Sequence, residues 1–126
     1  MGKKIAIAVL VVSLILFACL QSLYISSSYG RLTQAADRIQ DGIDAQDVQK
    51  TNQYIDEFGR VWEANSDTWM SLMLHEHVDS VYKSYLLLKK YAQAGDLKLA
   101  SVYLTQLHYA LSDVNKLDQL NFKNIF

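Results

Sequence analysis

The stretch that decides the fold is Ile5–Ile25, IAIAVLVVSLILFACLQSLYI, preceded by Lys3-Lys4 and followed by Ser26-Ser27-Ser28. From Ile5 to Leu20 it carries no charge, and Ser13 is its one polar interruption. As a helix rising 1.5 Å per residue it spans roughly 30 Å, the thickness of a bilayer's hydrocarbon core. The overall composition of 51% hydrophobic and 20% charged residues conceals this segregation. The expected organisation is a basic start (1–4), a transmembrane helix (5–25) and a helical domain (26–126).

Charge sets the expected direction. Lys3 and Lys4 stand immediately before the apolar run and the next basic residue is Arg31, so the positive-inside rule keeps the N-terminus in the cytoplasm. The protein is then expected to be single-pass in the cell membrane, with an extracytoplasmic domain. Two of the 12 basic residues precede the span and all 13 acidic ones follow it, which leaves the domain at net −3 without a basic patch. That balance argues against a nucleic-acid partner.

Two other processings fit the same residues. Leu16-Phe17-Ala18-Cys19 resembles a lipobox, although Phe17 is bulky for its position and the apolar run continues past Cys19; a lipoprotein processed at Cys19 is the alternative localisation. Ser26 and Ser28 are small enough to direct signal-peptide cleavage after Ser28. Cys19 is the sole cysteine, so no intramolecular disulfide forms.

Beyond the span the pattern is helical. There is no proline and only five glycines, so little interrupts a helix. Leu32, Ala35, Ala36, Ile39 and Ile43 recur at spacings of three and four, and the membrane helix is expected to continue through them. Gly42 and the polar run Asp44–Asp47 predict its end, with Asp47 capping a second helix on which Val48, Thr51, Ile55, Phe58 and Trp62 form a stripe. Asn65-Ser66-Asp67 predicts a break.

A third helix is expected from about Thr68, with Trp69, Leu72, Met73, Val78, Tyr82, Tyr85 and Leu86 inward. Gly95-Asp96 ends it and caps a fourth, carrying Ala100, Tyr103, Leu104, Leu107, Leu111 and Val114 and fading near Leu117. The remainder, Leu120–Phe126, alternates apolar and polar residues and is expected to lie extended along the bundle. The fold class is thus all-α: a transmembrane helix, then an antiparallel bundle of three to four helices with an extended C-terminal tail.

The chain resembles a family of small single-span membrane proteins of unknown function found in spore-forming Gram-positive bacteria. The resemblance rests on the short basic start, the single span, Trp62 and Trp69, the helix His75-Glu76-His77-Val78-Asp79 and the ending Phe122-Lys123-Asn124-Ile125-Phe126. His77 departs from the acidic residue usual there, and Phe122 stands in place of a leucine. What the resemblance implies is a membrane-anchored helical domain with a multi-span membrane protein as partner, and no activity.

Among polar residues, His75 and Asp79 lie four apart on one helix face beside Leu72, Tyr82 and Leu86, a face expected to be buried. Such a pair either fixes packing or titrates near neutral pH as a sensor. A metal site drawn from His75, Glu76, His77, Asp79 and His108 fits less well, because His75 and His77 point about 200° apart on a helix. Trp62 and Trp69, two turns apart, are expected in an aromatic core rather than in a ligand wall. The tyrosines Tyr54, Tyr82, Tyr85, Tyr91, Tyr103 and Tyr109 are expected to fill the bundle, their hydroxyls at its rim.

The tail residues Phe122, Asn124, Ile125 and Phe126 either seal their own bundle or meet a partner. No nucleophile elbow, phosphate loop, dinucleotide fingerprint or paired-cysteine motif occurs, so no catalytic, cofactor-binding or metal residue is assigned. The expected function is that of a non-enzymatic accessory protein docking on another envelope or membrane protein. The alternative is a pH- or metal-responsive binding module using His75 and Asp79.

Overall fold

A computed structural model of the chain describes residues 1–72 and 75–125, with side chains described as far as Lys116. Among the described residues all regular structure is helical: α1 (Gly2–Asp44), α2 (Val48–Leu72), α3 (His75–Gln93) and α4 (Leu97–Ile125). Each helix packs on its neighbours in chain order and α4 closes back on α1, giving an up-down-up-down bundle.

Two turns of the same construction fold the chain into hairpins. In Ala45-Gln46-Asp47 the Asp47 amide donates to the Gly42 carbonyl (3.1 Å) and the Gln46 amide to that of Ile43 (2.9 Å). In Ala94-Gly95-Asp96 the Asp96 amide donates to Tyr91 (2.9 Å) and the Gly95 amide to Ala92 (3.1 Å). Each pair of bonds satisfies carbonyls left over at a helix end, and each requires a left-handed middle residue, Gln46 at φ 53° and Gly95 at φ 78°. The aspartate then caps the next helix, Asp47 Oδ1 accepting from the Lys50 amide (3.0 Å) and Asp96 Oδ1 from that of Leu99 (3.1 Å).

Four stripes meet in one core. They are Leu32, Ala35, Ala36, Ile39 and Ile43 on α1; Ile55, Phe58, Trp62 and Trp69 on α2; Val78, Val81, Tyr85, Leu88 and Ala92 on α3; and Ala100, Leu104, Leu107, Leu111 and Val114 on α4. Gly42 serves packing rather than helix termination: a Cβ there would meet the Cα and amide nitrogen of buried Thr51 at 3.0 and 3.1 Å. Gly59 makes room for the Tyr85 ring, which rests 5.5 Å from Phe58. Burial pushes the Tyr85 phenol above its ordinary value of 10.0, with Lys89 pulling the other way, so it stays neutral at physiological pH.

Several expectations are corrected. No break occurs at Asn65-Ser66-Asp67; the Asn65 amide donates to the Val61 carbonyl four residues back (2.7 Å), so the polar residue is absorbed within the helix. Trp69 and Leu72 therefore belong to α2, and α3 begins at His75. Tyr82 (45% exposed) and Leu86 (42%) point outward, because the packed stripe of α3 runs through Val78, Val81, Tyr85 and Leu88 instead. Val48 is exposed as well.

The C-terminal segment is not extended: α4 continues past Leu117 to Ile125, since after Gly95 neither glycine nor proline interrupts it. Met73 and Phe126 lie outside the described residues. Of the six tyrosines expected to fill the bundle, Tyr85 is buried, Tyr54, Tyr91 and Tyr103 are half-buried, and Tyr82 and Tyr109 are exposed. Tyr91 and Tyr103 stack across α3 and α4 with centroids 5.2 Å apart.

A left-handed glutamine costs about 1 kcal/mol that glycine does not. Gln46→Gly is expected to stabilise the full-length protein by about 0.5–1 kcal/mol in thermal unfolding, and Gly95→Ala to destabilise it by about 1 kcal/mol. Gly59→Ala would set a Cβ on the Tyr85 hydroxyl and is expected to cost about 1–3 kcal/mol. Most of that loss should vanish in Gly59→Ala/Tyr85→Phe; an additive double mutant would contradict the contact.

Candidate functional site

Where α1 passes from its exposed half into the bundle, the side chains change solvent within two turns. Leu20 is 64% and Leu23 68% exposed, whereas Ile25 is 5% exposed and Ser28 fully buried. The core stripe of α1 thus begins inside the apolar run, as Ile25, Ser28, Leu32, Ala35 and Ile39 at spacings of three and four.

Two hydrogen bonds clasp this junction to α2. The Trp69 indole Nε1 donates to Ser28 Oγ (2.8 Å), and that hydroxyl donates to the Ile25 carbonyl (3.1 Å). One turn toward the N-terminus of α1, the Tyr24 hydroxyl donates to Asn65 Oδ1 (2.6 Å). Trp62 packs edge-on against Trp69 with centroids 5.8 Å apart and planes at 78°, a favoured aromatic geometry that shields the clasp. An unpaired buried donor costs about 1–3 kcal/mol, so the two bonds fix both the rotation and the height of α1 against α2. The chemistry is positional.

A second feature is a groove of about 460 Å³ between α3 and α4. Ser80, Ser84 and Ala110 are small residues along it, with Leu87, Lys83, Gln106, Tyr109 and Asp113 around them. Tyr109 is 70% exposed, and Leu99 and Val102 continue an exposed apolar line along α4.

The expected polar pair fares differently. His75 and Asp79 are both exposed, contrary to the expected buried face, because burial on α3 follows the Val78 stripe. His77 and His108 are half-buried, and no group of three or more His, Cys, Asp or Glu gathers at a metal-binding distance among the described residues. Trp62 and Trp69 are in the core as expected. Phe122, Asn124 and Ile125 fall in the last turns of α4, where side chains are outside the described set.

Ser28, Tyr24 and Asn65 were not singled out as functional from the sequence. Ser28 reads there as a cleavage position and Asn65 as a break, yet extending the α1 stripe back by one turn from Leu32 lands on Ser28. Residues 19–125 match the model of DUF4363, a domain of unknown function. No curated protein and no solved structure matches the chain.

Ser28→Ala removes the acceptor of a buried indole and is expected to destabilise the protein by about 1–3 kcal/mol. Ser26→Ala and Ser27→Ala, at exposed positions, should stay within about 0.5 kcal/mol. Three equal effects in thermal unfolding would mean that the clasp contributes nothing.

Proposed function

The chain belongs to the DUF4363 family, and we propose that it is a membrane-anchored, non-enzymatic accessory protein that docks on another envelope protein. In this reading α1 is retained as a single-pass span, with Lys3 and Lys4 cytoplasmic and the bundle extracytoplasmic. One observation carries it: the helix long and apolar enough to cross a membrane is the same helix that supplies one wall of the core. Cleavage after Ser28 would remove Tyr24, Ile25 and Ser28 together, and with them both hydrogen bonds of the clasp. Processing at Cys19 would spare the clasp and exchange the span for a lipid anchor, so it is distinguished by the N-terminus of the mature protein.

The docking face is the α3–α4 groove. Small residues at Ser80, Ser84 and Ala110 admit a close approach, and Leu87 and Tyr109 offer apolar area beside them. The occupant is an extracytoplasmic segment of a multi-span membrane protein, which lies within reach because both proteins share the bilayer. Lys83 and Asp113 supply polar contacts of both signs at its edge. The sensor reading retains only the spacing of His75 and Asp79, since an exposed pair interacts through water.

The test places a photocrosslinking amino acid at Tyr109 or Leu87, and at exposed Asp56 on α2 as reference, in native membranes. Crosslinking from positions 109 and 87 but not 56, to one integral membrane protein identified by mass spectrometry, is the expected outcome. Tyr109→Glu should then abolish its co-purification at unchanged melting temperature. Equal labelling from all three sites, or mature protein beginning at Tyr29, would defeat the reading.

A further inference from the structure

We propose that the last turn of α2, Met70–Leu72, is set into the outer headgroup–acyl boundary of the bilayer beside α1, so that the near end of the bundle stands on lipid. This rests on the reading of α1 as a retained span.

The turn Ala45-Gln46-Asp47 sets the relative height of α1 and α2, which run away from it side by side. On α1 the exposed side chains change from polar to apolar between Ser26 and Leu23, which lie 18 and 21 residues from Asp44. On α2 the change falls between Asp67 and Met70, 19 and 22 residues from Val48. At 1.5 Å per residue both changes stand at one height, about 27–33 Å from the turn. The clasp gives the same match independently, because its hydrogen bonds join Tyr24 and Ser28 to Asn65 and Trp69. On α1 this height is the end of the apolar run, where the span leaves the hydrocarbon. Tyr24 is half-buried there, and tyrosine rings favour the boundary between membrane and water. Leu72 reaches about 6 Å deeper than Tyr24, the depth of an interfacial segment rather than of a span.

The chemistry of this end suits that position. No charged residue stands between Asp67 and His75. The two turns at the opposite end each carry an aspartate, with Lys50 and Lys98 exposed on the helices that follow them. Met70 on α2 is exposed at the height of exposed Leu20 and Leu23 on α1, and Leu72 is half-buried beside it, so apolar area on both helices is left uncovered at one level. The hydrocarbon that covers α1 there is continuous with the space around Met70. Ser71 is exposed as well, but its hydroxyl donates to the Asp67 carbonyl (3.1 Å) and enters a nonpolar layer with its donor already paired. The inserted turn has no charge of its own, so a neutral bilayer is a sufficient partner.

The test uses the full-length chain with Cys19→Ser in phosphatidylcholine nanodiscs, spin-labelled at a single cysteine in place of Met70, Ser71, Asp67, Leu10 or Ala94, all exposed positions. Circular dichroism and thermal unfolding check the fold of each, and positions 70 and 71 are read separately, so one decides where the other label disturbs the bundle. Collision with oxygen, which partitions into lipid, is compared with collision with a water-soluble nickel chelate. The expected oxygen-to-nickel ratio at 70 and 71 is several-fold above that at 67 and 94 and approaches that at 10. Nickel access at 70 and 71 equal to that at 67, with a lipid-like value at 10, overturns the contact and leaves the anchor intact. Protection of 70 and 71 from both reagents means that protein covers the turn, and also overturns it. Nickel access at position 10 removes the anchor, and the proposal with it.

Discussion

Trp69 gives its buried indole N–H to Ser28, and a helix that is exposed along its first half is thereby held to a packed core. α1 is exposed over its first 17 residues and packs against α2 and α4 further on, yet it is one uninterrupted rod of 43 residues. A junction of this kind must stop the rod from rotating or sliding, since apolar surface alone is indifferent to register. Directional bonds supply that restraint. Tyr24 with Asn65 and Ser28 with Trp69 lie one turn apart along α1, so a shift of a single residue would break both.

The rest of the bundle follows from that restraint and from two equivalent turns. With α1 fixed against α2, the Gln46 turn delivers α2 antiparallel, and the Gly95 turn repeats the operation for α4 against α3. The two hairpins join through core stripes and through Asn52, whose amide donates to the Ala92 carbonyl across α2 and α3 (3.1 Å). The surface ion pair Arg38–Glu57 (3.2 Å) links α1 to α2, but exposed pairs contribute about 0–1 kcal/mol and do not set the register. Buried contacts do.

What the bundle leaves outside its core bears on function. α3 and α4 each carry apolar residues that the four-helix packing does not use, among them Leu87, Val102 and Tyr109, beside a groove lined with small residues. The charged and imidazole groups are dispersed by comparison: His75 and Asp79 face water, and His108 lies on α4, the other helix of that hairpin. Family membership leaves the same question open, because the matched domain has no assigned function.

The sequence by itself determined the all-helical class, the long apolar start, both hairpin turns and most of the core, since these depend on short-range order: spacings of three and four, and an aspartate one residue after Gln46 or Gly95. Tertiary structure decided which of Leu86, Leu87 and Leu88 turns inward, that Asn65 sits within a helix, and that Ser28 accepts a hydrogen bond from Trp69. Periodicity along one helix fixes a stripe only to within about one residue in rotation, and three adjacent leucines satisfy it equally well. The choice among them belongs to the neighbouring helix, whose side chains occupy one of the three directions and leave the other two to solvent. For Ser28 the deciding atom is the indole nitrogen of Trp69, 41 positions away along the chain, beyond the reach of any local pattern.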